Sequence, residues 1–487
     1  MTELGQHLLI DGELFGPEGR RSYPNINPAT EEVLGETPDA DAADVERAIG
    51  AARRAFDTTD WSTDTELRIR VLQQLQAALR ANAEELRSIV VAEGGSPVAL
   101  TQSIQLDEAI GYIDHYVELL QGYEFERPLP TKTIMGAPTD RIVRREAVGV
   151  VAAITPWNYP FYLAVCKLSA ALAAGCTVVL KPAPDTPWSA LAIGEIAVRS
   201  TDLPPGVLNV IATSDNEIAS ILTSHPDVDA VTLTGSTRTG ARVMEAAAPT
   251  IKRVTLELGG KSAAVLLDDA DFTAVVPMLA GGICAHAGQG CAQLSRLVVP
   301  RSRYEEVLAI ASATMELIPW GDPTDPNVIM GPVINARQRD GILAYLESAR
   351  RDGRIVRGGG TGDRFDKGYY IEPTLIADVD PKATVAQEEI FGPALVVLPY
   401  DDDADALAIA NNSVYGLSGA VFSADLDRAL NFARKIRTGT VGVNGGNWFD
   451  PGSPFGGYKQ SGIGREWGTE GLEDFLEIKT MAYPAGA

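Results

Sequence analysis

Val148-Gly-Val-Val-Ala-Ala-Ile154, then Leu168–Ala174, then Thr177-Val-Val-Leu180 set the rhythm of the chain. A short run of β-prone residues is followed by an Ala/Leu-rich helix that ends at Gly175, and a second apolar run comes next. The pattern continues with a helix opened by Pro187 and running through Val198, a strand at Gly206–Ile211, a helix from Asn216 and a strand at Ala230–Leu233. Strands that read as continuous apolar runs, alternating with helices of this length, imply βαβ units and a parallel sheet buried on both faces.

A second alternation begins near Ser262–Leu267, continues through Arg296–Val299 and Leu395–Leu398, and ends around Thr440–Val443. The expected fold is therefore α/β, with two Rossmann-like lobes carrying parallel sheets and a boundary close to Glu257–Lys261. The opening third reads as helical after a short strand-rich start. Asp44–Thr58 and Thr65–Glu93 carry apolar residues at helical spacing, as in Leu67, Val71, Leu72, Leu75 and Leu79. Gly94-Gly95-Ser96-Pro97 ends the second helix. Phe125–Glu146 has mixed polarity and several β-branched residues, which suits a small β excursion. The tail Leu472–Tyr483 is expected to pair with it or with another subunit.

At 487 residues, two or three domains are the natural expectation. Apolar residues make up 45% and charged residues 22%, the composition of a folded globular protein. A net charge of −24 without a polybasic face argues against nucleic acid as a partner. The apolar stretches are interrupted at Pro156, Asn158 and Lys167, short of the roughly 18 residues a membrane span needs. Met1-Thr-Glu-Leu lacks a secretory layout, and Cys166, Cys176, Cys284 and Cys291 have no disulfide-framework spacing, so a reducing cytoplasm is expected. His7, His115, His225 and His286 are scattered without ligand spacing, and no metal site is expected.

Cys291 stands among small residues in Gly288-Gln-Gly-Cys291, approachable by a substrate, and a thiolate attacks carbonyl carbon well. A buried structural cysteine is the commoner state of such a residue. Glu257, between two leucines and beside Gly259-Gly260, is placed where desolvation raises a carboxyl towards the range of a general base; an exposed strand-end acid is the alternative. Asn158 lies in Thr155-Pro-Trp-Asn-Tyr-Pro160 at a strand end, where its amide is able either to stabilise an oxyanion or merely to hold the turn. Thr234-Gly-Ser236 leads from strand to helix, and free N–H groups there suit a pyrophosphate, although the G-x-G-x-x-G fingerprint is missing. Lys181 is a candidate donor to ribose hydroxyls.

In order along the chain, Thr155–Pro160, Leu180-Lys-Pro-Ala183, Thr234-Gly-Ser236, Leu256-Glu-Leu-Gly-Gly-Lys261, Gly288-Gln-Gly-Cys291, Glu388-Glu-Ile-Phe-Gly-Pro393 and Ser453-Pro-Phe-Gly-Gly-Tyr-Lys459 resemble the aldehyde dehydrogenase superfamily over nearly the whole sequence. The resemblance implies oxidation of an aldehyde to its carboxylate with NAD, or NADP, through a thioester. Cys291 would be nucleophile, Glu257 the base for the hydrolytic water, Asn158 the oxyanion donor with the Cys291 N–H, and Lys167 an assisting lysine. Thr155, Trp157, Lys181, Gly235, Ser236, Gly240, Gln338, Glu389 and Phe391 would hold the dinucleotide. It further implies a dinucleotide-binding domain at 1–124 and 147–256, a catalytic domain at 257–459, and oligomerisation segments at 125–146 and 460–487 that build a homodimer or homotetramer.

Two departures stand out. The family often has an acid three residues after the lysine matching Lys181; here Pro184 occupies that position and Asp185 follows, so NADP stays open beside NAD. His286 stands where small polar residues are common. For the aldehyde, Tyr159, Tyr162, Leu163, Cys166, Trp448, Phe449 and Phe455 suggest an apolar, partly aromatic tunnel suited to medium-chain aliphatic or aromatic aldehydes, Tyr162, Trp448 and Phe455 being the chosen contacts; ordinary core packing is the alternative. Acyl transfer to coenzyme A is the rival chemistry, against which the presence of Glu257 speaks. A dinucleotide-binding or structural protein that has lost turnover is the rival class, and it predicts damage at Cys291, Glu257 or Asn158.

Overall fold

The computed structural model describes residues 4–486. Its largest sheet holds eight strands, with a parallel core ordered Arg253–Glu257, Ala230–Thr234, Val150–Ile154, Thr177–Lys181, Leu208–Val210. The first strand of the alternation thus lies between the second and the fourth, and the chain's direction of travel reverses beside it. At such a switch point the loops leaving two neighbouring strands diverge and open a crevice. Register keeps those strand ends level: Ile154 faces Leu233 and Lys181, and Thr234 faces Glu257.

The chain crosses to the second lobe between Glu257 and Ala263. There six parallel strands run in the order Thr374–Ala377, Ala394–Tyr400, Arg296–Pro300, Ala263–Leu266, Ser418–Phe422, Thr440–Val443, with Arg354–Arg357 antiparallel at one edge. Each sheet has its own apolar core, and the expected two-lobed α/β architecture is what the chain adopts.

Two helices differ from the sequence reading. Pro160–Ala174 begins eight residues before the expected Leu168, and all of it is buried. A helix packed on every side shows no polar face, so periodicity cannot mark its start; Pro160 at its first turn was the available sign. Thr65–Glu93 is two helices, Thr65–Ala81 and Ala83–Gly94. Asn82 breaks them by turning its own amide back onto the Ala78 carbonyl at 2.8 Å.

Glu126–Ile134 and Ala137–Ala147 form a projecting hairpin, to which Leu476–Pro484 adds as a third, antiparallel strand. The 460–475 stretch lies elsewhere. Gly462–Ile463 joins the edge of the first sheet, and Trp467, Leu472 and Phe475 enter the first core. Among the described residues no helix is long and apolar enough to cross a membrane.

Arg296 ties the crossing to the second sheet. Its buried guanidinium donates to the carbonyls of Lys261, Ile409 and Ala410 and to Asn412. Arg296→Met leaves these carbonyls without a donor, and stability should fall by roughly 3 kcal/mol. A urea midpoint equal to that of the native protein would contradict this assignment.

Candidate active site

Loops leaving the ends of three parallel strands converge with the loop that precedes Arg296. The Val150–Ile154 strand delivers Asn158, Ala230–Thr234 delivers Gly235 and Ser236, and Glu257 ends its own strand. Glycines permit the approach. A Cβ on Gly260 would lie 2.4 Å from the Cys291 carbonyl oxygen, and one on Gly259 2.3 Å from a Glu389 carboxyl oxygen.

Two cavities open onto this junction, and Cys291, half-buried, is the residue that lines both. One, of about 290 Å³, is walled by Trp157, Asn158, Gly235, Ser236, Glu257, Gln338, Glu389 and Phe391. The other, of about 520 Å³, is walled by Tyr159, Tyr162, Leu163, Met278, Ile283, Phe422, Trp448, Phe449, Phe455 and Trp467 among others. Among the described residues that line it, none carries a charged side chain.

Electrostatics at the junction follow from burial. The Cys291 thiol is pushed up to about 12, first by desolvation and then by the negative charges of Glu257 and Glu389. Glu257 is held well above the ordinary carboxyl range, again by desolvation first and then by Glu466, while Lys167 and Arg465 oppose. Both of its carboxyl oxygens are buried without a hydrogen-bond partner among the described residues. Glu389 accepts from the Gly260 N–H at 2.8 Å, and burial raises it to about 7. The Asn158 amide donates to the Gln289 carbonyl at 2.8 Å, which leaves its second N–H uncommitted there.

At the 290 Å³ cavity, Ser236 caps the helix Thr237–Ala247, Gln338 donates to the Phe391 carbonyl at 3.1 Å, and the Trp157 and Phe391 rings meet edge to face at 5.3 Å. Three expected contacts are not on that cavity wall. Gly240 is buried inside the helix, where a Cβ would lie 2.7 Å from Leu258, so its absence serves helix packing. The Thr155 N–H is spent on the Lys181 carbonyl, and the Lys181 ammonium donates to the Pro182 carbonyl at 2.7 Å. Burial lowers Lys181 to about 8. Asp185 is engaged by Asn335 at 2.9 Å.

Lys167 lies in neither cavity. It is fully buried, donates to Thr232 at 3.0 Å and pairs with Glu466. Glu466 and Trp467 escaped the sequence reading: they follow a Gly-rich stretch with no periodicity, and their partners lie far away in the chain.

The sequence matches the model of the aldehyde dehydrogenase family over residues 15–481. The chain belongs to the aldehyde dehydrogenase family. It is 40% identical to a 3-succinoylsemialdehyde-pyridine dehydrogenase of a Pseudomonas species over 97% of each chain. Identity to the geranial dehydrogenase of Castellaniella defragrans is 38% over 99% of each chain. Among solved structures, a Pseudomonas syringae aldehyde dehydrogenase in complex with NAD+ and octanal superposes with a TM-score of 0.93 at 39% identity, covering 99% of this chain and 98% of that one. A Mycobacterium tuberculosis aldehyde dehydrogenase complexed with NAD+ gives 0.94 at 42% identity, covering 100% and 99%.

The charge arrangement makes a direct prediction for the thiol. Above about pH 7 Glu389 is ionised and holds the Cys291 proton on. Removing that charge lowers the thiol's pKa and raises the thiolate fraction. Alkylation of Cys291 by iodoacetamide at pH ~8.5, read by peptide mass, should run about two- to fivefold faster in Glu389→Gln. An unchanged rate would show that this carboxylate does not act on the thiol.

Proposed function

We propose that this aldehyde dehydrogenase oxidises an uncharged, apolar aldehyde to its carboxylate, with NAD as hydride acceptor and a thioester on Cys291. The observation that carries the reading is the placement of Cys291 at the one wall shared by an apolar cavity and a polar cavity.

The polar cavity suits a dinucleotide. Gly235 is open, since a Cβ there would meet nothing nearer than 3.8 Å, and Ser236 begins a helix whose first N–H groups face a phosphate well. Trp157, Gln338, Glu389 and Phe391 surround the part nearest the thiol, while Lys181 would reach ribose hydroxyls by leaving the Pro182 carbonyl. When bound, the dinucleotide supplies the acceptor for the hydride. The NAD+ complexes of similar enzymes support NAD as the acceptor here.

The residues then divide the work. The Cys291 thiol releases its proton to solvent, its sulfur attacks the aldehyde carbon, and the free N–H of the Asn158 amide, with the Cys291 N–H, steadies the oxyanion. Loss of hydride from that carbon to the dinucleotide leaves a thioester. Glu257 takes a proton from water, the hydroxide adds to the thioester carbon, and the C–S bond breaks; the departing sulfur takes the proton from Glu257, and the acid loses its own to leave as the carboxylate. A carboxyl pushed up by burial is a stronger base than an ordinary one, and the buried Lys167 offsets its charge when ionised. The uncharged 520 Å³ cavity accommodates a medium-chain aliphatic or aromatic group. The octanal bound to the Pseudomonas syringae protein is of that kind.

We further infer a homodimer or homotetramer joined through the 125–146 hairpin and the Leu476–Pro484 strand, which expose Ile134, Met135, Ile478 and Tyr483. Four free cysteines fit a reducing cytoplasm.

Formation of reduced nicotinamide, followed by absorbance, tests the activity. Native protein should reduce NAD with apolar aldehydes, favouring them over charged ones, and Cys291→Ala should not. Turnover should rise with pH above the ordinary carboxyl range, because both Glu257 and Cys291 must lose protons that burial holds on. Reduction that persists in Cys291→Ala would refute the thioester route. No reduction by folded protein that binds NAD would favour a binding role instead. Ile478→Lys should lower the sedimenting mass; an unchanged mass would remove this sheet from the interface.

A further inference from the structure

We propose that His286 is a positioning residue that sets the Asn158 amide against the nucleophile loop; the inference rests on the oxyanion role given to Asn158 above. His286 is fully buried, and its Nε2 lies 2.7 Å from the backbone carbonyl oxygen of Asn158. A carbonyl oxygen only accepts, so Nε2 carries the proton and Nδ1 bears the lone pair. That Nδ1 is buried without a hydrogen-bond partner among the described residues. Burial also lowers the ring to about 4, so it is neutral at physiological pH and donates a single N–H, to Asn158. A buried ring with one unsatisfied nitrogen costs stability, which points to a role for the bond that it does make.

The bond closes a circuit. Asn158 donates through its side-chain amide to the Gln289 carbonyl at 2.8 Å, and Gln289 donates through its own amide to the His286 carbonyl at 3.1 Å. Gln289 Oε1 accepts from the Ile334 N–H at 2.9 Å, and the His286 N–H donates to the Ile329 carbonyl, so the circuit is anchored to the second lobe. Gln105 adds a longer bond to the same Asn158 carbonyl, at 3.2 Å.

Backbone conformation aims the ring. His286 has φ 49° and ψ 37°, the left-handed region that non-glycine residues seldom occupy and histidine tolerates better than most. Tyr159, the residue after Asn158, meets the imidazole edge to face at 5.4 Å. The Asn158 peptide is therefore held from the nucleophile loop, and its side-chain amide leaves from the same Cα. Rotation of that peptide would carry the amide off the place where the oxyanion forms, and displacements of this kind cost rate rather than affinity.

The test is kinetic. His286→Leu keeps bulk and removes the donor; His286→Gln restores an N–H of similar reach. We expect kcat to fall about tenfold in His286→Leu, with KM for NAD and the thermal midpoint little changed, and to recover in His286→Gln. In an Asn158→Ala background, His286→Leu should cost nothing further, because the residue it positions is already gone.

Native kcat in His286→Leu, while Asn158→Ala is crippled, would overturn the positioning role and leave the Asn158 assignment standing. A full additional loss in the double variant would overturn it as well, placing the His286 effect elsewhere. Native activity in Asn158→Ala would remove the oxyanion reading and the inference with it. Should His286→Leu fail to fold, His286→Asn takes its place: its shorter amide stops short of the Asn158 carbonyl, so the loss must appear there and not in His286→Gln.

Discussion

Glu257 sits with both carboxyl oxygens buried and without a donor from the described residues, and the architecture around it keeps that costly arrangement in place. Left alone, such a group would remain protonated, since a buried carboxylate needs compensation. The parallel sheet supplies a rigid strand end on which to mount it, with Thr234 level beside it and the Gly235 N–H donating to the Glu257 backbone carbonyl at 2.9 Å. Beneath, Thr232 and Glu466 hold Lys167, whose charge favours ionisation of Glu257 while Glu466 opposes it. Base strength in the proposed reaction is thus raised by desolvation and by Glu466, and tempered by Lys167 and Arg465.

The seam between the lobes also bears on the proposed nucleophile. Cys291 belongs to a loop leading into the second lobe, whereas Asn158 and Glu257 belong to the first, so the proposed chemistry requires the two lobes to hold a fixed relation. Short backbone approaches at Gly259 and Gly260, the Asn158–Gln289 bond and the Arg296 bond to the Lys261 carbonyl all cross or brace that seam. Aromatic packing closes its other side: Trp448 stacks on Phe455 at 5.4 Å, and Phe455 on Trp467 at 4.9 Å. An apolar wall there lines the cavity proposed for the aldehyde, while the carboxyls of Glu257 and Glu389 lie in the opposite cavity.

How much of this was legible in the sequence depended on distance along the chain. Strands such as Val150–Ile154 and Ala230–Thr234 read clearly because burial on both faces leaves an unbroken apolar run. Pro160–Ala174 lost its first half for the same reason, since a helix apolar all round has no period to detect. Cys291, Glu257 and Asn158 stood out by their neighbours, and the structure brings all three to one junction. Glu466 gave no sign, because what distinguishes it is a lysine 299 positions earlier. His286 looked anomalous, and the contact that accounts for it joins residues 128 positions apart. Gly240 carried a different lesson: the resemblance implied a dinucleotide contact there, and what the structure adds is close packing against Leu258, a constraint no local pattern announces.

The claim on which the account turns is that the substrate becomes covalently attached to Cys291 and that Glu257 releases it. Intact and peptide mass of Glu257→Gln, quenched in acid after mixing with NAD and a medium-chain aldehyde, measures this directly. The account predicts a mass increase on the Cys291 peptide alone equal to the aldehyde less two hydrogens, the transferred hydride and the displaced thiol proton, together with about one equivalent of reduced nicotinamide per site. An unmodified Cys291 in a variant that still produces reduced nicotinamide and free carboxylate at the native rate would contradict it.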